Sequence, residues 1–204
     1  MAKDRYFYFN QIDKFKGLKG TVTIIGLQSD GIILAEILSR AGINLRLIDK
    51  GRIYLEELQS QSVYLEEDVT KFKAKQAKKR LETVNENVKI KAFHEELTPE
   101  TAYLLDADVV VDFTNKESVN QLVHDHCLKQ KIPCFFVSST NASTKIVVLD
   151  GKDVKKKISQ ADTEKEGLLG SLAYVSAGFV SFLTYQKLQK QKLKESYELS
   201  LDKL

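Results

Sequence analysis

The chain has 204 residues, 43% of them hydrophobic and 29% charged, and a formal net charge of +3. That size suits one α/β domain with at most a short appendage, and the charge excess is too small to argue for nucleic acid. Two cysteines, Cys127 and Cys134, suffice for neither a disulfide framework nor a four-ligand zinc site, and without an apolar leader or a run near ~20 apolar residues the sequence predicts a cytoplasmic protein with no membrane contact.

The elements alternate strand and helix from the first apolar run onward. Val22 to Ile25 reads as a buried strand, Gly31 to Ala41 as a helix with apolar Ile32, Ile33, Ala35, Ile37 and Leu38, and Leu45 to Asp49 as a second strand after Gly42. A lysine-rich helix follows over 71–84, then a third strand over 88–92 and a fourth, nearly all valine, over 108–112. Residues 119–129 read as a helix, 133–138 as a fifth strand and 145–149 as a sixth in an antiparallel or edge position. The order predicts an open, mostly parallel, doubly wound sheet of Rossmann-like α/β type. Beyond residue 150 the composition turns polar, with Lys155, Lys156 and Lys157 in a loop or linker over 151–166. An apolar helix over 168–188 and a charged tail over 191–204 close the chain.

The turn between the first strand and helix is Gly26-Leu27-Gln28-Ser29-Asp30-Gly31. In a G-x-G-x-x-G turn the middle glycine lets the backbone approach a pyrophosphate at a helix N-terminus. Gln28 stands in place of that glycine, and Asp30 is expected to put a negative charge beside the phosphate position, competing for the same N–H donors.

Further landmarks occur in order. Arg5-Tyr6 and Asn10-Gln11-Ile12 precede the first strand, Ile48-Asp49 ends the second, Leu58-Gln59-Ser60-Gln61 precedes 63–69, and Lys73-Ala74 opens a helix that ends in Asn85. Asp112-Phe113-Thr114-Asn115 follows the valine strand, Lys131-Ile132-Pro133 leads into the next, and Gly167 to Leu188 closes the pattern. On these residues the chain resembles the ThiF/MoeB/HesA superfamily of ubiquitin-activating-enzyme-like adenylation domains over about residues 4–150, and again from about 167. The resemblance implies a ThiF-like Rossmann domain over 1–150 with an N-terminal helical segment. It also implies a helix over 167–190 that packs on this domain and helps to make a dimer.

What the resemblance implies for chemistry is ATP binding and adenylation of the C-terminal glycine of a ubiquitin-like or sulfur-carrier protein. Gly26 and Gly31 fall on the loop, Asp49 on the ribose-binding acid and Lys73 on the phosphate-contacting lysine. Asn115 replaces the metal-coordinating aspartate, Ser60 a basic residue, Glu57 an asparagine, and Asn10 an arginine that reaches across a dimer. Because adenylation rests on positioning and on neutralising phosphate charge, this pattern implies a degenerate member with no catalytic set, no metal site and absent or weak ATP binding.

Other candidates have plainer readings. Cys127 and Cys134 fit buried structural thiols, and no cysteine follows Cys134 to serve the thiol step of the ubiquitin-activating branch. His124 and His126 at i and i+2 of a helix face different ways and so do not form a metal pair. The cluster Lys71, Lys73, Lys75, Lys78, Lys79 and Arg80 fits a solvated helix face, with Lys73 as the exception by resemblance.

Three readings follow. The first is a non-catalytic subunit or scaffold paired with a paralogous activating subunit, as a homo- or heterodimer acting on a ubiquitin-like or sulfur-carrier protein. The second is a reduced but active adenylyltransferase, and the third an NAD-binding Rossmann oxidoreductase. In the closing helix, Leu168, Leu169, Leu172, Val175, Phe179, Phe182 and Leu183 are expected to pack on the sheet and Tyr174, Val180 and Tyr185 to meet another chain.

Overall fold

In the computed structural model, which describes residues 4–140, 142–158 and 170–200, seven strands form one sheet in the order β3-β2-β1-β4-β5-β6-β7. They are β1 (Thr21–Ile25), β2 (Asn44–Ile48), β3 (Ile90–Phe93), β4 (Val109–Asp112), β5 (Cys134–Ser139), β6 (Ser143–Leu149) and β7 (Ser196–Ser200). The first five are parallel, with Ile25 paired to Ile48 on one side and Asp112 on the other, while β6 and β7 run antiparallel at one edge. This is the Rossmann-like, doubly wound arrangement that the alternation predicts.

Among the described residues four α-helices cover the sheet: α1 (Ser29–Arg40), α2 (Lys73–Val84), α3 (Glu117–Gln130) and α4 (Gly170–Leu188). One core cluster joins Ile24, Leu45, Val111 and Phe135 of the strands to Ile33 of α1, Ala77 of α2 and Ala177 of α4. The other face carries Ile25, Val110 and Phe136 against Val123 and Cys127 of α3 and Leu104 of a 3-10 segment, Pro99–Leu105. Both faces are thus covered, and β1 and β4 are buried along almost their whole length.

Two expectations change at the C-terminal end. The charged tail expected over 191–204 contains β7, whose Tyr197 stacks edge-on against Phe179 at 5.5 Å while Glu198 stays exposed. Alternating polar residues in Ser196-Tyr197-Glu198-Leu199-Ser200 suit an edge strand with one wet face. In α4, Val180 is 0% exposed and Tyr185 is buried, packed with Phe9 and Phe15 of the N-terminal turns, so neither is free to meet another chain. The exposed apolar residues are instead Tyr174, Val175 and Phe182. α4 packs chiefly on α1, and that contact rotates the helix relative to its expected placement. Leu168, Leu169 and residues 159–166 of the expected linker lie outside the described residues.

Candidate functional site

In an open α/β sheet, ligands sit beyond the carboxyl ends of the strands where the strand order reverses, here between β1 and β4. A cleft of about 280 Å³ occupies this point, lined by the loop after β1, the ends of β2 and β3 and the segment after β4.

The loop after β1 is fixed by its two glycines. Gly26 adopts φ +85°, a left-handed conformation that favours glycine. A methyl group on Gly31 would lie 2.0 Å from the Gly26 carbonyl oxygen, so the first turn of α1 rests directly on the loop backbone. Gln28 precedes α1 in extended conformation and lies exposed at the cleft.

Asp49 braces this loop from the end of β2. Its Oδ2 accepts the Leu27 N–H at 2.7 Å and its Oδ1 the Gly51 N–H at 2.6 Å. One loop N–H is therefore already engaged by the protein. Asp30 does not project into the cleft as expected. It is buried, with Oδ2 accepting from the hydroxyls of Ser139 at 2.8 Å and Ser176 at 3.3 Å. Burial pushes its carboxyl up to about 6, against the opposing pull of those hydroxyls and of the Asp30 and Gly31 N–H groups.

Lys73, the first residue of α2, is 3% exposed and places Nζ 2.6 Å from Oε1 of Glu57, which is 19% exposed. Glu57 belongs to the 3-10 segment Leu55–Ser60, and its Oε2 caps the Tyr54 N–H at 3.1 Å. Ser60, at the end of that segment, is buried with its Oγ 2.7 Å from Oγ of Ser29 at the start of α1. After β4, buried Asp112 accepts from Thr114 N–H at 2.8 Å, the Thr114 hydroxyl at 2.7 Å and Asn120 Nδ2 at 2.8 Å, which orders the segment leading to α3. Thr114 and Lys116 line the cleft. Asn115 between them is half-buried with φ 52°, a conformation that asparagine tolerates better than most residues, and it does not line the cleft.

Of the five residues expected from sequence, four come together at the cleft: Gly26, Asp49 and Lys73 line it, and Gly31 supports its loop from beneath. Lys50, Arg52, Glu95, Glu96 and Lys116 also line it and escaped the sequence reading. Their signal was positional, since Lys50 and Arg52 follow β2 and Glu95 and Glu96 follow β3, at the carboxyl ends of parallel strands. Asn10 holds the N-terminal turn, its Oδ1 accepting the Gly17 N–H at 3.1 Å.

The lysine-rich helix is less of a solvated face than expected. Lys71, Gln76 and Arg80 converge on the fully buried carboxylate of Asp68. Burial pushes that carboxyl up, but the Leu65 N–H, Lys71 and Arg80 outweigh it and hold it below its usual range. His124 lies between Asp125 and Asp153, whereas His126 bonds Asp106. Among the described residues no group of three or more His, Cys, Asp or Glu side chains is arranged to hold a metal.

Comparison with known proteins fits this geometry. The ThiF family model matches residues 12–198. The chain belongs to the ThiF family. It is 32% identical over 118 residues to the sulfur carrier protein ThiS adenylyltransferase of Bacillus subtilis, covering 55% of this chain and 35% of that protein. The protein of the same name in Escherichia coli is 30% identical over 137 residues, covering 66% and 55% respectively. Against the E. coli molybdopterin-synthase adenylyltransferase, identity is 28% over 142 residues, with 65% and 54% covered. The chain thus spans about a third to a half of the length of these relatives. E. coli MccB crystallised with ATP superposes with a TM-score of 0.77 at 19% identity, covering 98% of this chain and 70% of MccB, a likeness of fold.

Proposed function

We propose that this ThiF-family chain is a non-catalytic subunit in the activation of a sulfur-carrier or ubiquitin-like protein, pairing with an activating subunit rather than adenylating the carrier itself. ATP-dependent adenylation requires cations and a metal carboxylate around the triphosphate. The observation that carries the reading is Ser60. At the position where the resemblance places a basic residue, a short hydroxyl is buried against Ser29, with the Gly170 backbone of α4 beside it. No charge reaches the cleft from this position.

Asn115 supports the same reading, because a neutral amide stands where the resemblance places a metal carboxylate. The names of the relatives support the substrate class, since the two ThiS adenylyltransferases are named for a sulfur carrier. Gly26, Gly31, Asp49, Lys73 and Asn115 are, on this reading, remnants of a nucleotide site that retains its shape and has lost its charge. The residues present do not fit a magnesium triphosphate. The pairing surface is assigned to the exposed residues of α4, Tyr174, Val175 and Phe182. The test is ATP–pyrophosphate exchange by the full chain with carrier proteins of its own host, for which no exchange is expected.

A further inference from the structure

The charged groups lining the cleft balance one another. Asp49, Glu57, Glu95 and Glu96 supply four carboxylates, and Lys50, Arg52, Lys73 and Lys116 supply four cations. Three of the four cations are also engaged. Lys73 is paired with Glu57 at 2.6 Å and Lys50 with Glu96. Arg52 donates to the Thr70 carbonyl at 2.6 Å and stacks 4.1 Å over the Phe72 ring, whereas Lys116 lies exposed. A triphosphate brings only acceptors and several negative charges. To reach Lys73 it would have to break an ion pair in which the lysine is nearly buried, and would leave the Glu57 carboxylate facing its own charge. Glu57 cannot simply swing aside, because its second oxygen caps the Tyr54 N–H at 3.1 Å.

The rest of the cleft suits a ligand that donates hydrogen bonds and is flat and uncharged. Asp49 accepts one backbone N–H on each oxygen, and a carboxylate has about four acceptor sites, so it retains capacity for hydroxyl donors at the end of β2. Ile25, Ile48, Leu97 and Val119 supply apolar walls. The volume, about 280 Å³, lies at the lower limit of sites that enclose a small ligand, roughly 300 Å³.

We infer that this cleft selects an uncharged nucleoside over a nucleoside triphosphate, and that Glu57, by holding Lys73, is the residue that sets the preference. The inference rests on the reading of the cleft as a remnant nucleotide site, and the experiment separates the two. Adenosine and magnesium ATP are titrated calorimetrically into the full chain and into its Glu57→Asn and Glu57→Gln variants. Wild type binds adenosine at least about tenfold more tightly than ATP. Either variant frees Lys73 and strengthens ATP binding by about tenfold or more, while adenosine binding remains measurable. The adenosine affinity of each variant reports that the cleft is intact.

ATP binding more tightly than adenosine in wild type, or ATP affinity unchanged in both variants, would overturn the inference while leaving the nucleotide-site reading in place. Binding of neither ligand to any of the three proteins would overturn both.

Discussion

Gly31 and Asp30 are neighbours with opposite tasks at the start of α1. At Gly31 a methyl group would meet the Gly26 carbonyl oxygen at 2.0 Å, and backbone cannot yield as a flexible side chain does. Alanine is the better helix former by roughly 1 kcal/mol, but the overlap outweighs that gain. Gly31→Ala is expected to destabilise the fold by about 1–3 kcal/mol, read as a lower urea midpoint; an unchanged or raised midpoint would contradict the packing described.

Asp30 makes stability depend on pH. Its folded carboxyl titrates near 6, above its ordinary 3.8, so the folded state holds the proton more tightly than the unfolded chain does. The contribution is fully present below the unfolded value and is lost as pH rises through about 6. Asp68 has the opposite sign. Its lowered value stabilises above the ordinary carboxylate range and is lost as pH falls below it, outside the same window. Between about pH 5 and about pH 7.5, wild type is expected to lose on the order of 1–1.5 kcal/mol relative to Asp30→Asn. Comparing urea unfolding of the two proteins removes the histidine contributions they share, and parallel pH profiles would contradict the assignment.

Among the elements, α4 shows how packing settles what spacing leaves open. Apolar residues lie on every side of this helix, so the face that spacing nominates, with Val175 and Phe182 on it, competes with others of similar apolarity. Contact with α1 and the sheet decides it: Val180 is enclosed, while Tyr174, at 50% exposure, points outward. The consequence is a pair of substitutions with different outcomes. Val180→Glu should prevent folding by burying an unpaired charge, visible as lost helical dichroism. Tyr174→Glu should preserve the fold and shift the protein from dimer toward monomer in light scattering. A wild-type chain that is monomeric at tens of micromolar, alone and mixed with ThiF-type proteins of its host, would refute the pairing.

At the scale of the molecule, the parallel core was legible because β1 and β4 are rich in β-branched apolar residues, Val22, Ile24 and Ile25 in one and Val109 to Val111 in the other, and alternate with helical segments. β7 was not, since Ser196 and Glu198 face solvent and its partner β6 lies far from it in sequence. The site divides in the same way. Gly26, Gly31, Asp49 and Lys73 stand at positions that strand and helix boundaries mark. The Glu57–Lys73 pair spans 16 residues and depends on how a 3-10 segment folds back over α2, which no local pattern encodes. Glu57 therefore read as a lost asparagine, while in the fold it is the partner that neutralises the cleft's most buried cation.

ATP–pyrophosphate exchange is the decisive test of the proposal that this fold keeps the shape of an adenylation site without its charge. The full chain, supplied with magnesium ATP, labelled pyrophosphate and the sulfur-carrier and ubiquitin-like proteins of its host, is expected to give exchange equal to a control without protein. Exchange above that control, and abolished by Lys73→Ala, would contradict the account.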